Sequence, residues 1–207
     1  STRLIGGLIM AHGDDQGLVV PPRLAPIQVV VLPVRDDDEV VAAVERVSAE
    51  LKAAGIRVRV DRGRGSFGRR VTDWEIKGVP LRIEIGPRDL AQGLVTVARR
   101  DSGEKITCEL SAVHATVSRA LDEAQQAILA VGERRLADRT AEVASAPEAL
   151  EAAQSGFARM SWDLLRGAGE AELRNSAVTV RCLQRADGSM PDHEDEAGLI
   201  AIVGRSY

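Results

Sequence analysis

Aromatic side chains are scarce in this sequence. Only five occur among 207 residues: Phe67, Trp74, Phe157, Trp162 and Tyr207. A core cannot be built around rings, so Val, Leu, Ile and Ala must fill it. Cysteine is scarcer still. Cys108 and Cys182 are too few and too far apart for a disulfide framework, which points to a reducing, intracellular setting. No apolar run approaches the roughly 18 residues of a membrane span, so neither a membrane partner nor a secretory leader is expected. An overall excess of positive charge is also missing. The net charge of -4 excludes a globally basic nucleic-acid binder, but not a local basic face.

What is present reads as alternating strands and helices. "IQVVVLPV" (27–34) is a continuous β-branched run, as expected of a strand buried on both faces. "DDDEVVAAVERVSAELKAAG" (36–55) is an amphipathic helix with acids at its start and Gly55 at its end. "IRVRVD" (56–61) alternates like a strand with one wet face. "RGRGSFGRRVTDWEIKG" (62–78) begins as a basic, glycine-rich loop and ends in a short helix. Three further strands follow, "VPLRIEIG" (79–86), "LVTVARRD" (94–101) and "EKITCEL" (104–110), the last two joined by a "DSG" turn. Apolar positions from Val113 to Val131 recur at helical spacing within 111–145, with Gly132 weakening that helix midway. The order β-α-β-α-β-ββ-α predicts a mixed sheet with helices on both faces, an α/β domain. After Pro147 a short helix, strands at 176–184 and 198–207, and an acidic loop between them predict a small α+β domain.

Charge is unevenly placed. From Arg57 to Lys105 the chain carries 12 Lys+Arg against 7 Asp+Glu, so the remainder is strongly acidic. Arg62, Arg64, Arg69 and Arg70 crowd one glycine-rich loop, where guanidinium groups beside exposed backbone N–H groups suit phosphates. The alternative is a solvated loop with counter-charges elsewhere. "RGRGSFG" lacks the Gly-Lys-Ser/Thr ending of a P-loop, which disfavours a small nucleotide-binding domain.

The strings "STRLIGGLIMAHGDDQGLVVPPRLAPIQVV", "WEIKGVPLRIEIGPRDL", "VARRDSGEKI" and "GRSY" together resemble the C-terminal portion of the prolyl-tRNA synthetase family, in its archaeal and eukaryal type. The likeness covers residues 1–127 and the last few, and is weak between 146 and 200. It implies three parts: the edge of a class II catalytic domain (1–25), a mixed-sheet α/β anticodon-binding domain (26–127), and a linker helix with a small α+β C-terminal domain (128–207). It also implies that the chain starts inside the third class II motif, with motifs 1 and 2 upstream. The implied activity is that of a cytoplasmic proline–tRNA ligase that uses L-proline, ATP with Mg2+ and tRNA-Pro. The implied assembly is a homodimer formed through the catalytic domain. The 207 residues alone are expected to be inactive. The competing reading is a stand-alone anticodon-binding-like RNA-binding module without catalysis, which would have no use for an ATP arginine.

By this resemblance Arg3 is the motif 3 arginine that grips ATP, and Ser1 contacts proline. Otherwise both simply begin a helix, Ser1 as its cap. "HGDD" (12–15) is a family string, but its glycine and acids equally suit a turn, and no catalytic residue is assigned there. Glu75, Arg82, Arg88 and Asp89 match positions that read the two guanines of the proline anticodon. A carboxylate accepts from guanine N1–H and N2–H, and arginine donates to O6 and N7. Trp74 is a candidate stacking platform or a core residue. Arg64, Arg69 and Lys77 are candidates for the tRNA backbone. The family often holds zinc on four cysteines in its third domain. Here only Cys182 and His193 stand near that region, so no metal site is expected and apolar packing around Met160 and Trp162 takes its place. The terminal "GRSY" keeps the family's ending, so Tyr207 is expected to fold back toward the active site.

Overall fold

The computed structural model describes residues 2–206, so the expectations for Ser1 and Tyr207 lie outside the described residues. Contacts divide the chain into two units, Ser1–Ala130 and Val131–Tyr207.

Unit 1 opens with helix α1 (Thr2–His12) and a two-residue hairpin, β1 (Gly13–Asp14) and β2 (Gly17–Leu18). The elements that follow are β3 (Val29–Pro33), α2 (Asp38–Ala53), β4 (Val58–Val60), α3 (Phe67–Ile76), β5 (Leu81–Ile85), a single turn α4 (Pro87–Leu90), β6 (Leu94–Arg99) and β7 (Lys105–Glu109). Helix α5 (Val113–Asp138) runs on into unit 2, without a break at Gly132. The alternation read from the sequence is therefore the alternation found.

The five strands lie in the order β4-β3-β5-β6-β7, parallel across β4-β3-β5 and antiparallel beyond. Because side chains alternate along a strand, each strand sends every second residue to one face. Val29, Val31, Leu81, Ile83, Ile85, Val95 and Val97 meet Val40, Val44, Val47 and Leu51 of α2 and Val113 and Val117 of α5. All are essentially solvent-free, and each such side chain contributes about 1.5–3 kcal/mol before the entropy of ordering. On the other face α3 covers only half of the sheet: Val30 and Leu32 of β3 pack against Trp74 and Val79. Among the described residues no helix packs over the half made by β5, β6 and β7, which presents Arg82, Glu84, Thr96, Lys105 and Thr107. These residues share a face by register, Glu84 opposite Thr96, Thr96 opposite Thr107, and Arg82 opposite Ala98.

Unit 2 has a four-stranded sheet in the order β10-β11-β9-β8, formed by β8 (Thr140–Glu142), β9 (Phe157–Ser161), β10 (Val178–Gln184) and β11 (Ile200–Arg205). Helices α6 (Ala146–Ala152), α7 (Trp162–Leu165) and α8 (Ala168–Asn175) complete it. Strands β8 and β9 and helices α7 and α8 are additions to the sequence reading. Met160 and Trp162 are both in the core, 3% and 6% exposed, with Leu165, Leu173 and Val203 around them. The acidic loop before β11 is fastened by arginine. Arg185 reaches Glu196 through Nε and Nη2 at 2.8 and 2.9 Å, and Asp192 through Nη2 at 3.0 Å.

That clasp predicts an acid response. The Arg185 guanidinium, with the amides of His193 and Asp192, lowers the Glu196 carboxyl to about 2 from its usual 4.5. A depressed carboxylate stabilises the fold above its unfolded pKa and loses that contribution as pH falls through the folded value. The protection of amides in 185–198, relative to their intrinsic exchange at each pH, should therefore hold from neutral pH to about 4.5 and fall toward pH 2. In Glu196→Gln the acid-dependent step should be absent. An unchanged acid profile in that variant would rule out Glu196 as its source.

Candidate nucleic-acid interface

The open half-face of unit 1 is where the candidate anticodon readers gather. Glu75 sits in the last turn of α3, and the end of that helix is locked. The amide of Gly78 bonds the Glu75 carbonyl at 2.9 Å and that of Val79 bonds the Trp74 carbonyl at 3.4 Å, a Schellman ending. Gly78 has φ +72, and a Cβ there would lie 2.6 Å from both Cβ and the carbonyl oxygen of Leu18, so only glycine closes this turn against the β2 strap. Arg100 adds two clamps: its Nε donates to the Glu75 carbonyl at 3.2 Å and its Nη2 to Asp14 at 2.6 Å. Arg100 thereby holds the Asp14 carboxyl below its ordinary range. In "HGDD", then, Asp14 ties the hairpin to the site.

Arg82, on β5, is planted beside Glu75. Its Nη1 donates to Glu75 Oε1 at 2.9 Å and its Nε to Glu84 Oε1 at 2.8 Å. Lys105, from β7, brings its Nζ to 3.4 Å from Glu84. Exposure differs across the pair: the Arg82 side chain is 12% exposed and that of Glu75 35%. The carboxylate is thus the more accessible reader, while the guanidinium is held flat by two acids, its remaining N–H groups without a partner among the described residues. Neither Glu84 nor Lys105 was singled out by the sequence reading. Strand register is the signal that finds them, because position 84 must share the face of position 82.

Arg88 and Asp89 stand apart from this cluster, on the α4 turn at the exit of β5. Both are exposed, and neither side chain has a partner among the described residues.

The basic loop proves to be two kinds of arginine. Arg70 is 8% exposed, its Nη1 bonded to Asp61 at 3.1 Å and its Nη2 to the Pro33 carbonyl at 2.5 Å. Arg62 pairs with Glu45. These two depart from the expectation that the whole cluster faces phosphate: Arg70 is a buried brace and Arg62 is already neutralised. Arg64 and Arg69 are exposed, and their side chains have no partner among the described residues. Trp74 is 8% exposed, and the Lys77 ammonium lies over its ring, 4.2 Å from the centroid. The face of this indole is thus already occupied by a cation.

Arg3 lies on α1, exposed and without a partner among the described residues. None of the residues of α1 is buried, and Leu4, Ile5 and Met10 are 75%, 61% and 81% exposed. Among the described residues no cluster of three or more His, Cys, Asp or Glu is placed to hold a metal ion. Cys182 is half-buried on β10 and His193 is exposed in the acidic loop, so the residues present do not fit a zinc site of thiolates and imidazoles. Among the described residues no helix is long and apolar enough to cross a membrane.

With this geometry in place, comparison with known proteins is informative. Residues 28–120 match the family model described as "Anticodon binding domain". Along its whole length the chain is 54% identical to "Proline--tRNA ligase" of Frankia casuarinae, of which it covers 45%. It is 50% identical to "Proline--tRNA ligase 2" of Streptomyces avermitilis, again over all of its length and 44% of that protein. The chain thus spans less than half the length of these curated relatives, matching their C-terminal part. Among solved structures, a prolyl-tRNA synthetase from Cryptosporidium parvum, complexed with L-proline and AMP, superposes with a TM-score of 0.82 and 29% identity. That match takes in all of this chain and 46% of the other.

Proposed function

We propose that this chain is the C-terminal part of a proline–tRNA ligase of the archaeal and eukaryal-like type, and that unit 1 reads the anticodon of tRNA-Pro. The observation that carries this reading is the match to proline–tRNA ligases along the entire chain, inside and outside 28–120. Likeness to a eukaryotic synthetase structure supports the type. The whole ligase would activate L-proline with ATP and Mg2+ to prolyl-adenylate and pass it to tRNA-Pro, in the cytoplasm and as a homodimer through its catalytic domain. The proline and AMP held by the Cryptosporidium protein support those substrates. Zinc has no part in it. The working division is a catalytic edge (1–25), an anticodon-binding domain (26–127) and a linker with C-terminal domain (128–207). A stand-alone RNA-binding module is less favoured, because a match confined to the RNA-reading domain would then suffice.

In this reading Glu75 accepts from guanine N1–H and N2–H. Arg82 orients that carboxylate and offers its free N–H groups to O6 or N7. Arg88 and Asp89 supply the second donor–acceptor pair at the other end of β5. The site is rigid before RNA arrives, since the α3 end, Arg100 and Glu84 already fix it, so little ordering entropy is spent on binding. Arg3 would contact ATP and Ser1 proline; Lys77, Arg64 and Arg69 would meet backbone phosphates.

The test is base-specific. In the full ligase, Arg82→Ala should leave proline adenylation intact, weaken charging of tRNA-Pro by about 1–3 kcal/mol, and narrow the gap between the natural anticodon and one with a guanine replaced. Arg82→Lys should recover little, because an ammonium cannot reproduce the planar fork. Arg64→Ala should instead weaken every tRNA alike and flatten the salt dependence. If Arg82→Ala affects matched and mismatched anticodons equally, the anticodon assignment of this strand is wrong.

A further inference from the structure

Unit 2 is acidic, with 13 Asp and Glu against 9 arginines in 131–207. Several of those arginines are spoken for, Arg181 among them, which donates to the Arg205 carbonyl. Arg159 pairs with Glu142, Arg166 with Asp195, Arg174 with Glu170, and Arg185 with Asp192 and Glu196. Arg139 and Arg205 are different. Both are exposed, and among the described residues their guanidinium groups have no partner, although acids outnumber bases in the sequence of this unit.

They also face a common cavity of about 550 Å³, at the end of the sheet where β8 and β9 begin and β11 finishes. Gln154, Ser155 and Ser206 line it as well, and no lining residue is acidic. Its apolar member is Phe157, 36% exposed. The ring of Phe157 lies close over Gly204, where a Cβ would sit 2.9 Å from it, so this glycine lets the phenyl lie against the strand. Two unpaired guanidiniums, hydroxyl and amide donors and a part-exposed ring thus surround one space. That is the chemistry of a phosphodiester with an adjoining base.

We propose that this cavity is a second RNA-contact site, in which Arg139 and Arg205 hold backbone phosphate and Phe157 stacks a base or ribose, independent of anticodon sequence. That the polyanion is tRNA rests on the function proposed above. Free nucleotides share the chemistry but offer only one anchor.

The experiment uses the 207-residue chain and fluorescent tRNA-Pro transcripts, with affinity measured from 50 to 300 mM salt. Arg139→Gln/Arg205→Gln should weaken binding on the order of tenfold near 0.15 M salt and reduce the salt slope by about 1–2, equally for matched and mismatched anticodons. Phe157→Leu, which keeps apolar cover over Gly204, should lower affinity without altering the slope. Inorganic phosphate and AMP should compete only at millimolar levels. Unchanged slope and affinity in a double variant with wild-type thermal stability would overturn the proposal, as would tight AMP binding with no effect on tRNA. A wild-type chain that binds RNA without anticodon preference, yet loses slope in the double variant, overturns the reading of unit 1 and supports this one.

Discussion

Arg70→Ala is expected to destabilise unit 1 by about 3–5 kcal/mol, the cost of leaving a buried charge without its partner. The guanidinium it removes ties Asp61, at the end of β4, to the carbonyl of Pro33, at the end of β3. The Asp61 side chain is only 7% exposed and cannot turn to water. Its Oδ1 would keep the Gly63 amide at 2.9 Å, but Oδ2 would lose its partner. Urea unfolding of the chain should show the loss as a lower midpoint with an unchanged slope. Arg70→Met/Asp61→Leu should recover much of it, since replacing both partners with apolar side chains removes the orphaned charge. A single-variant loss under about 1 kcal/mol would mean that Arg70 is a surface residue in solution.

Arg3→Ala should have the opposite profile. Arg3 is exposed and makes no hydrogen bond or ion pair among the described residues, so stability should not change. In the complete ligase, adenylation should fall by about 2–4 kcal/mol, roughly 30-fold to 1,000-fold, because a donor aimed at developing phosphate charge acts mainly in the transition state. The 207-residue chain by itself should show no proline-dependent ATP–pyrophosphate exchange, since one arginine on an uncovered helix makes no adenylation site. A near-normal rate in the full Arg3→Ala enzyme would withdraw the motif 3 assignment, and exchange by the isolated chain would contradict the division of labour.

Where periodicity was strong, the sequence was enough. The valines of β3, the amphipathic face of α2 and the three strands from 79 to 110 all lie where alternation and apolar spacing put them. β9 escaped because its inward residues are Ala158 and Met160, neither of which favours strands, and α8 because Leu173 is its only buried side chain. Charge was legible in amount but not in use. Arg64 and Arg70 look alike in a glycine-rich string, and only the packing of Asp61 beneath α3 separates a free cation from a buried brace. Glu75 and Arg82 came from family likeness, but their mutual bond, and the part played by Glu84 and Lys105, required the strand register.

The shortage of rings has a practical consequence for optical measurement. Each unit holds a single tryptophan, and both are buried: Trp74 in the core of one, Trp162 in the core of the other. Trp74 lies under the Lys77 ammonium, whereas the Trp162 indole N–H is bonded to the Glu194 carbonyl at 3.0 Å. Intrinsic emission therefore reports the two units through two different quenching environments. A Trp162→Phe variant leaves Trp74 as the sole tryptophan, and a change in its emission on adding RNA that is absent in a Lys77→Met background would show Lys77 leaving the indole for phosphate. Trp74→Phe isolates the signal of the other unit, so a single spectrometer can resolve which unit melts first.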